Sequence, residues 1–264
     1  MDPFWLKLIL SFVVGGIWIT LTTVAAERFG SKVGGLLGGI PSTVVVSMFF
    51  IGWSQGTQRA FDATTVFPFA FSFNAIFLIT FALFAPRGIL KGILGAIAVW
   101  LLCQWLVIIV DLQSYWVSLM VWLVVLVAAF GVTQRWLYVE SHERVKVHYT
   151  VWQVAWRAGF SGAMIAFSVL MSRLGGPVWG GVFAAFPAVY TSTLVITART
   201  AGARFARSMV APLMISGVVN CVVYNTAFRY SVLGLGFVGA TLVAYAVSMV
   251  SAYGTWRFIQ TKLS

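Results

Sequence analysis

Charge is what this sequence has least of, and acidic charge least of all. Only 9% of its 264 residues are charged, with 17 Lys and Arg against 6 Asp and Glu. A soluble domain needs roughly a quarter charged residues to cover its surface, so a water-soluble globule is excluded. No acid falls centrally in an apolar stretch: Glu27, Asp62 and Asp111 all lie at the ends of such stretches. A carboxylate-based proton or sodium relay therefore lacks its usual residue. Cysteine is scarce as well, and Cys103 and Cys221 both sit inside apolar stretches, where they read as small core residues rather than a disulfide or metal pair. There is no His/Cys/Asp cluster with metal-ligand spacing, no glycine-rich phosphate loop with lysine, and no Ser–His pair in an apolar stretch. The expectation is no enzyme, no catalytic residues, no metal and no cofactor.

What remains is apolar and aromatic: 61% hydrophobic residues, 16% aromatic, mean hydropathy +0.96. Crossing the hydrocarbon takes about 20 such residues in a helix. Nine stretches qualify, at 4–25, 33–53, 64–83, 90–110, 114–132, 150–171, 177–197, 208–228 and 233–255. The first has only Asp2 and Lys7 near its start and no small-residue cleavage site after it, so it reads as a retained span. The one long hydrophilic segment, 134–148, carries Arg135, Glu140, Glu143, Arg144 and Lys146 as well as His142 and His148, and is expected to continue a helix past the membrane.

A net charge of +11 does not point to nucleic acid, because the cations lie in short groups between apolar stretches. Those groups set orientation. Nine spans place Arg28, Lys32, Arg87, Lys91, Arg135, Arg144, Lys146, Arg199, Arg204, Arg207, Arg257 and Lys262 on one side, and Lys7, Arg59, Arg173 and Arg229 on the other. The rule that positive loops stay inside then predicts a multi-pass protein of the cell inner (plasma) membrane, N-terminus outside and C-terminus cytoplasmic.

The chain also repeats. A shift of 146 positions pairs Gly30 with Gly176, Gly34 with Gly180, Gly35 with Gly181, Pro41 with Pro187, Gly56 with Gly202, Ala60 with Ala206 and Asn74 with Asn220. With a two-residue slip, Gly92, Gly95 and Ala96 pair with Gly236, Gly239 and Ala240. The reading is a single all-α membrane domain over 1–264. Repeat one covers 1–111, a connector helix and cytoplasmic segment 112–149, and repeat two 150–264. Five crossings separate each span from its counterpart, so the two four-helix units run in opposite directions, the inverted arrangement of many secondary transporters. The plainer alternative is a duplication that only makes a stable bundle.

Each unit carries a proline near the middle of its second span, after a glycine-rich approach: Gly34-Gly35 before Pro41, Gly180-Gly181 before Pro187. Proline removes a backbone hydrogen bond and crowds the carbonyl four residues back, here Leu37 and Phe183. Irregular backbone at membrane depth is tolerated only inside protein or beside water. Paired broken helices are therefore the best pointer to a substrate site, against which stand two plain kinks with close glycine packing. Hydroxyls follow both prolines, in Ser42 and Thr43 and in Tyr190 and Thr191. Asn74 and Asn220 fall in the middle of the third spans, where each amide either meets substrate or bonds carbonyls freed by the prolines. Arg157, two turns into the sixth span, either serves a site or snorkels to the nearer face.

The run Gly181-Val182-Phe183-Ala184-Ala185-Phe186-Pro187-Ala188, continuing to Ala201-Gly202 and Ala206, resembles the signature segment of the GlpM-type small membrane proteins. Gly35, Pro41 and Gly56 repeat it more loosely in the first half, with Ile40 in place of Phe. Arg157, and Lys7 in the first half, fall where that family tends to carry a basic residue. The resemblance implies a fused duplication of a four-helix unit and brings neither catalytic residues nor a substrate. The function expected is a small secondary-type transporter, permease or facilitator for a neutral or anionic small molecule, bound by Pro41, Ser42, Thr43, Asn74, Arg157, Pro187, Tyr190, Thr191 and Asn220. Two rivals are a flippase-like lipid-handling protein and a non-transporting assembly or regulatory subunit. Partners are the solute or lipid and the surrounding membrane lipids, with a homo-oligomer left open.

Overall fold

The computed structural model describes residues 3–28, 40–137 and 149–262. Among them all regular structure is helical: α1 (Pro3–Arg28), α2 (Ser42–Gln55), α3 (Thr57–Phe84) with a 3-10 turn (Ala85–Arg87), α4 (Ile89–Val110), α5 (Tyr115–Trp136), α6 (Val151–Gly175), α7 (Pro177–Ala184), α8 (Ala188–Ser208), α9 (Val210–Leu213), a π turn (Met214–Val218) and α10 (Val219–Lys262). Seven helical runs are long and apolar enough to cross a membrane. Large apolar side chains of α1, α4 and α5, among them Leu6, Leu102, Trp105 and Val124, face outward; lipid is the medium that covers such a surface. The Gly34–Gly39 approach to Pro41 lies outside the described residues. So do residues 138–148, and the predicted extension of the fifth helix is traced only to Trp136.

Two of these helices are longer in name than in geometry. At 44 residues α10 would reach about 66 Å, twice the ~30 Å hydrocarbon layer, but its backbone breaks at Gly236 (φ 67, ψ 175). α8 breaks likewise at Gly202 (φ 86, ψ 164). Positive φ with extended ψ is essentially open to glycine alone. Nothing lies within 4 Å of a Cβ built at either position, so conformation rather than space requires glycine there. Gly56 (φ 95, ψ 159) and Gly88 (φ 128, ψ 140) turn the chain in the same way before α3 and α4. The sequence reading placed the last break at 229–232 and paired Gly92 with Gly236; the helix instead runs through Arg229 to the Gly236 corner. Gly92 has another task, letting α4 approach to where a Cβ would stand 3.1 Å from the backbone of Ala85.

α3 forms the axis of the bundle, with 83% of its most apolar window buried against 28% for α4 and for α5. Its Phe67, Phe77, Leu78 and Phe81 are fully enclosed. α6, started by a capping box in which Thr150 accepts from the Gln153 amide, packs antiparallel to α1. The Arg173 guanidinium near its end lies 4.1 Å from the Phe4 ring at the start of α1, and Ala158 near its start meets Gly16. Where they cross, a Cβ on Gly162 would stand 2.6 Å from the Phe12 carbonyl oxygen and 3.4 Å from the Gly16 nitrogen. Close backbone approach of this kind, through small residues, is how helices associate in lipid.

Four cations tie helix ends together at one end of the bundle. Lys7 donates to the Trp53 carbonyl (2.8 Å) and Arg59 to that of Ser172 (3.2 Å). Arg173 covers Phe4, and Arg229 donates to the Phe61 carbonyl and the Thr64 and Thr65 hydroxyls (3.1, 2.8 and 2.9 Å). Its guanidinium is held between the rings of Phe61 and Tyr115 (3.9 and 4.7 Å), which joins α3, α5 and α10.

Gly162→Val should destabilise the α1–α6 crossing by about 1–3 kcal/mol, lowering the thermal midpoint in detergent. Gly159→Ala, where an added Cβ meets nothing within 4 Å, should leave the midpoint unchanged or raised.

Candidate functional site

Pro187 breaks its helix outright, and Pro41 stands at the start of α2 in a turn of the same kind. Pro41 (φ −75, ψ 57) and Pro187 (φ −77, ψ 44) have nearly the same backbone. In each case the next amide turns back to the residue before the proline: Ser42 N to Ile40 O and Ala188 N to Phe186 O, both at 2.8 Å. These are inverse γ-turns, not kinks within a continuous helix. Each proline carbonyl then accepts the first bond of a new helix, from Val45 N (3.0 Å) and from Thr191 N (2.8 Å). The amides of Thr43, Val44, Val189 and Tyr190 have no backbone acceptor among the described residues, as in the first turn of any helix.

The carbonyls find partners across the fold. Phe183 O, which the sequence marks as displaced by Pro187, is taken by Phe186 N (3.1 Å) in a tightened turn; Leu37 lies outside the described residues. Ala185 O, which also loses its helical donor at the break, accepts from Asn74 Nδ2 on α3 at 3.0 Å. A third proline repeats the device. Pro68, inside α3, displaces the bond to Thr64 O, and Asn225 Nδ2 donates there at 3.2 Å. Gln104 Nε2 reaches Ala70 O at 2.9 Å. Pro68, Asn225 and Gln104 have no place in the sequence reading above; a third proline within an apolar stretch, in a chain with only three asparagines, was the available signal.

The two breaks face one small cavity, which Pro41, Ser42, Thr43, Asn74, Pro187 and Tyr190 line together with Ile40, Phe71, Phe186, Val189, Gly217 and Cys221. Room for the centre of a water molecule amounts to about 20 Å³, enough for one or two waters. Polar groups with no hydrogen-bond partner among the described residues turn up here: Asn74 Oδ1 and the Tyr190 hydroxyl on the wall, and the buried Thr191 hydroxyl one residue further along α8. Tyr190, 5% exposed, projects from α8 against Gly217, where any side chain would collide with its hydroxyl. Gly217 and Cys221 come from the π turn and the start of α10, and nothing in their sequence context announces them.

Three predicted site residues lie off this wall. Thr191 is buried beside it. Asn220 faces the last helix, accepting from Ser251 Oγ (2.7 Å) and donating to Thr255 Oγ1 (3.1 Å). Arg157 does not snorkel: it is 9% exposed and its Nη1 donates to Thr193 Oγ1 on α8 at 2.8 Å. No group of three or more metal-binding side chains occurs among the described residues.

Asn225→Leu should leave Thr64 O unpaired and cost about 1–3 kcal/mol, read as a lower unfolding midpoint. Adding Pro68→Ala supplies an amide to that carbonyl and should recover part of the loss.

No protein-family model matches this chain, and no curated protein or solved structure matches it at a significant level.

Proposed function

We propose that this chain is a small membrane transporter or facilitator whose solute, neutral or anionic, passes between the helix breaks at Pro41 and Pro187. One observation carries the reading: two broken segments with the same backbone bring two helix N-termini to one cavity. Unpaired amides and the positive end of the helix dipole favour negative charge. The Tyr190 hydroxyl, buried and unpartnered on the same wall, adds a further donor. The size of the cavity speaks for a small solute and against a lipid, since an acyl chain or headgroup needs far more room than a water or two.

The same proposal has nine spans in two inverted four-helix units joined by α5, a fused pair of the GlpM-type unit. Dividing α10 at Gly236, and counting the apolar stretch 33–53 that ends in α2, adds two to the seven runs and yields that number. Its support is that Gly16 and Gly162, 146 positions apart, meet where α1 and α6 cross antiparallel, as a two-fold axis between equivalent helices requires. Lys7, Arg59, Arg173 and Arg229, sorted to the outside by sequence, gather at one end of the bundle. An outside N-terminus and a cytoplasmic C-terminus in the cell inner membrane follow from the positive-inside rule.

Purified chain in liposomes should carry at least one small anion or neutral solute well above protein-free vesicles. Tyr190→Phe removes one hydroxyl that no described protein group bonds and should cut that flux by about tenfold with little change in stability. No flux across a panel of small solutes, or full flux in Tyr190→Phe, would sink the proposal. Cysteines placed at Lys32 and Gly176, with Cys103 and Cys221 replaced, should label from opposite faces; labelling from one face rules out the inverted arrangement.

A further inference from the structure

Arg157 is the only described charged residue that is nine-tenths buried. Its Nη1 is held by Thr193 Oγ1, while Nε has no hydrogen bond and no described carboxylate pairs with the guanidinium. The nearest aromatic face, that of Tyr149, is 6.0 Å away. A guanidinium stays charged in proteins, and a buried charge without a counter-ion is strongly unfavourable. The cation therefore sits where an anion belongs.

Its position relative to the cavity is set twice over. Thr193 lies one turn along α8 from Tyr190, on the same face. One turn along α6 from Arg157, the Phe160 ring packs 5.9 Å from that of Phe186 on the cavity wall. Arg157 thus stands about one helical turn from the cavity, toward the end of the bundle where α6 begins. The other half has no such charge: Ser11 and Ser47 occupy the positions equivalent to Arg157 and Thr193, and Ser47 instead accepts from Ser168 Oγ at 3.1 Å.

We propose that Arg157 forms a second binding position, for a small planar oxyanion of the carboxylate or nitrate class, on one side of the cavity. With Nη1 engaged by Thr193, the Nε edge of the guanidinium is free to present the two parallel donors that such an anion accepts. As a station on a solute path this rests on the transporter reading; as a binding position it does not.

The test is thermal unfolding of the full purified chain in nitrate, formate or gluconate at equal ionic strength, beside flux in liposomes. Wild type should gain midpoint saturably with nitrate and formate and little with the bulkier gluconate. Arg157→Gln should unfold at the same or a higher temperature without anion and gain nothing from it, and its apparent KM for transport should rise about tenfold or more. Arg157→Lys, which keeps the charge without the fork, should bind nitrate and formate no better than chloride, and it decides the matter if the glutamine variant does not fold. Equal gains in wild type and variants, no gain in wild type, or a gain produced only by anionic phospholipid would overturn the assignment. Flux that survives unchanged in Arg157→Gln refutes this site and leaves the transporter standing; an Arg157-dependent shift without any flux does the reverse.

Discussion

Broken helices in an apolar medium impose the constraint on which the rest of this fold depends. A backbone carbonyl that loses its donor in lipid has no water to turn to, so the fold must bring it a partner from elsewhere. The solution is a small set of amide side chains. Asn74 on α3 reaches Ala185 beside the Pro187 break, Asn225 on α10 reaches the turn opened by Pro68, and Gln104 on α4 reaches Ala70. Each bond joins two elements and sets the register of a packing contact, and those of Asn74 and Asn225 also supply the donor that a proline break removed. Removing any of them exposes a polar group and loosens an interface together.

Around these bonds the helices pack by closeness rather than by hydrophobic force, which lipid weakens. Gly16 and Gly162 let α1 and α6 touch backbone to backbone, and Gly180 and Gly181 let the short α7 sit against Ser172 of α6 and Ala63 of α3. That close seating holds the second break rigidly beside α3, within reach of Asn74. Arg229 closes the other side, its guanidinium stacked between Phe61 and Tyr115 while it bonds Thr64 and Thr65. The cavity is therefore a product of the packing. It lies where two helix starts, one central helix and a π turn meet, and its size follows from how far each can approach.

Positions 146 apart in the chain are alike in backbone at two turns and unlike in side chains around them. The two proline turns match within a few degrees in φ, and the glycine corners at Gly56 and Gly202 match too. The side chains differ where the chemistry would lie. Val44 stands where the other half has Tyr190, Phe71 where it has Gly217, and Ser11 where it has Arg157. Tyr190 fills the room that Gly217 leaves, and its ring meets Phe71 edge-on at 6.4 Å.

Sequence by itself determined the class of the fold and much of its division, because these depend on composition and on local backbone rules. Apolar length marked the helical runs, of which seven among the described residues are long enough to cross a membrane, and Pro187 marked a break. Four of the five glycine corners among the described residues, Gly56, Gly88, Gly176 and Gly202, fall between the apolar stretches that the sequence marks; the fifth was misjudged because Arg229 in an apolar run resembles a helix end, and only the φ of Gly236 places the turn seven residues later. Six of the nine residues expected at the site line the cavity, since residues beside a break are necessarily near it. Tertiary structure alone decided the rest. Which carbonyl each amide serves, that Asn220 turns to the last helix while Asn74 turns to a break, that Gly217 and Cys221 wall the cavity, and that Arg157 is buried rather than drawn to the surface are all contacts between helices far apart in the chain. Hydropathy and spacing describe each helix on its own, and carry no information about which face meets which neighbour.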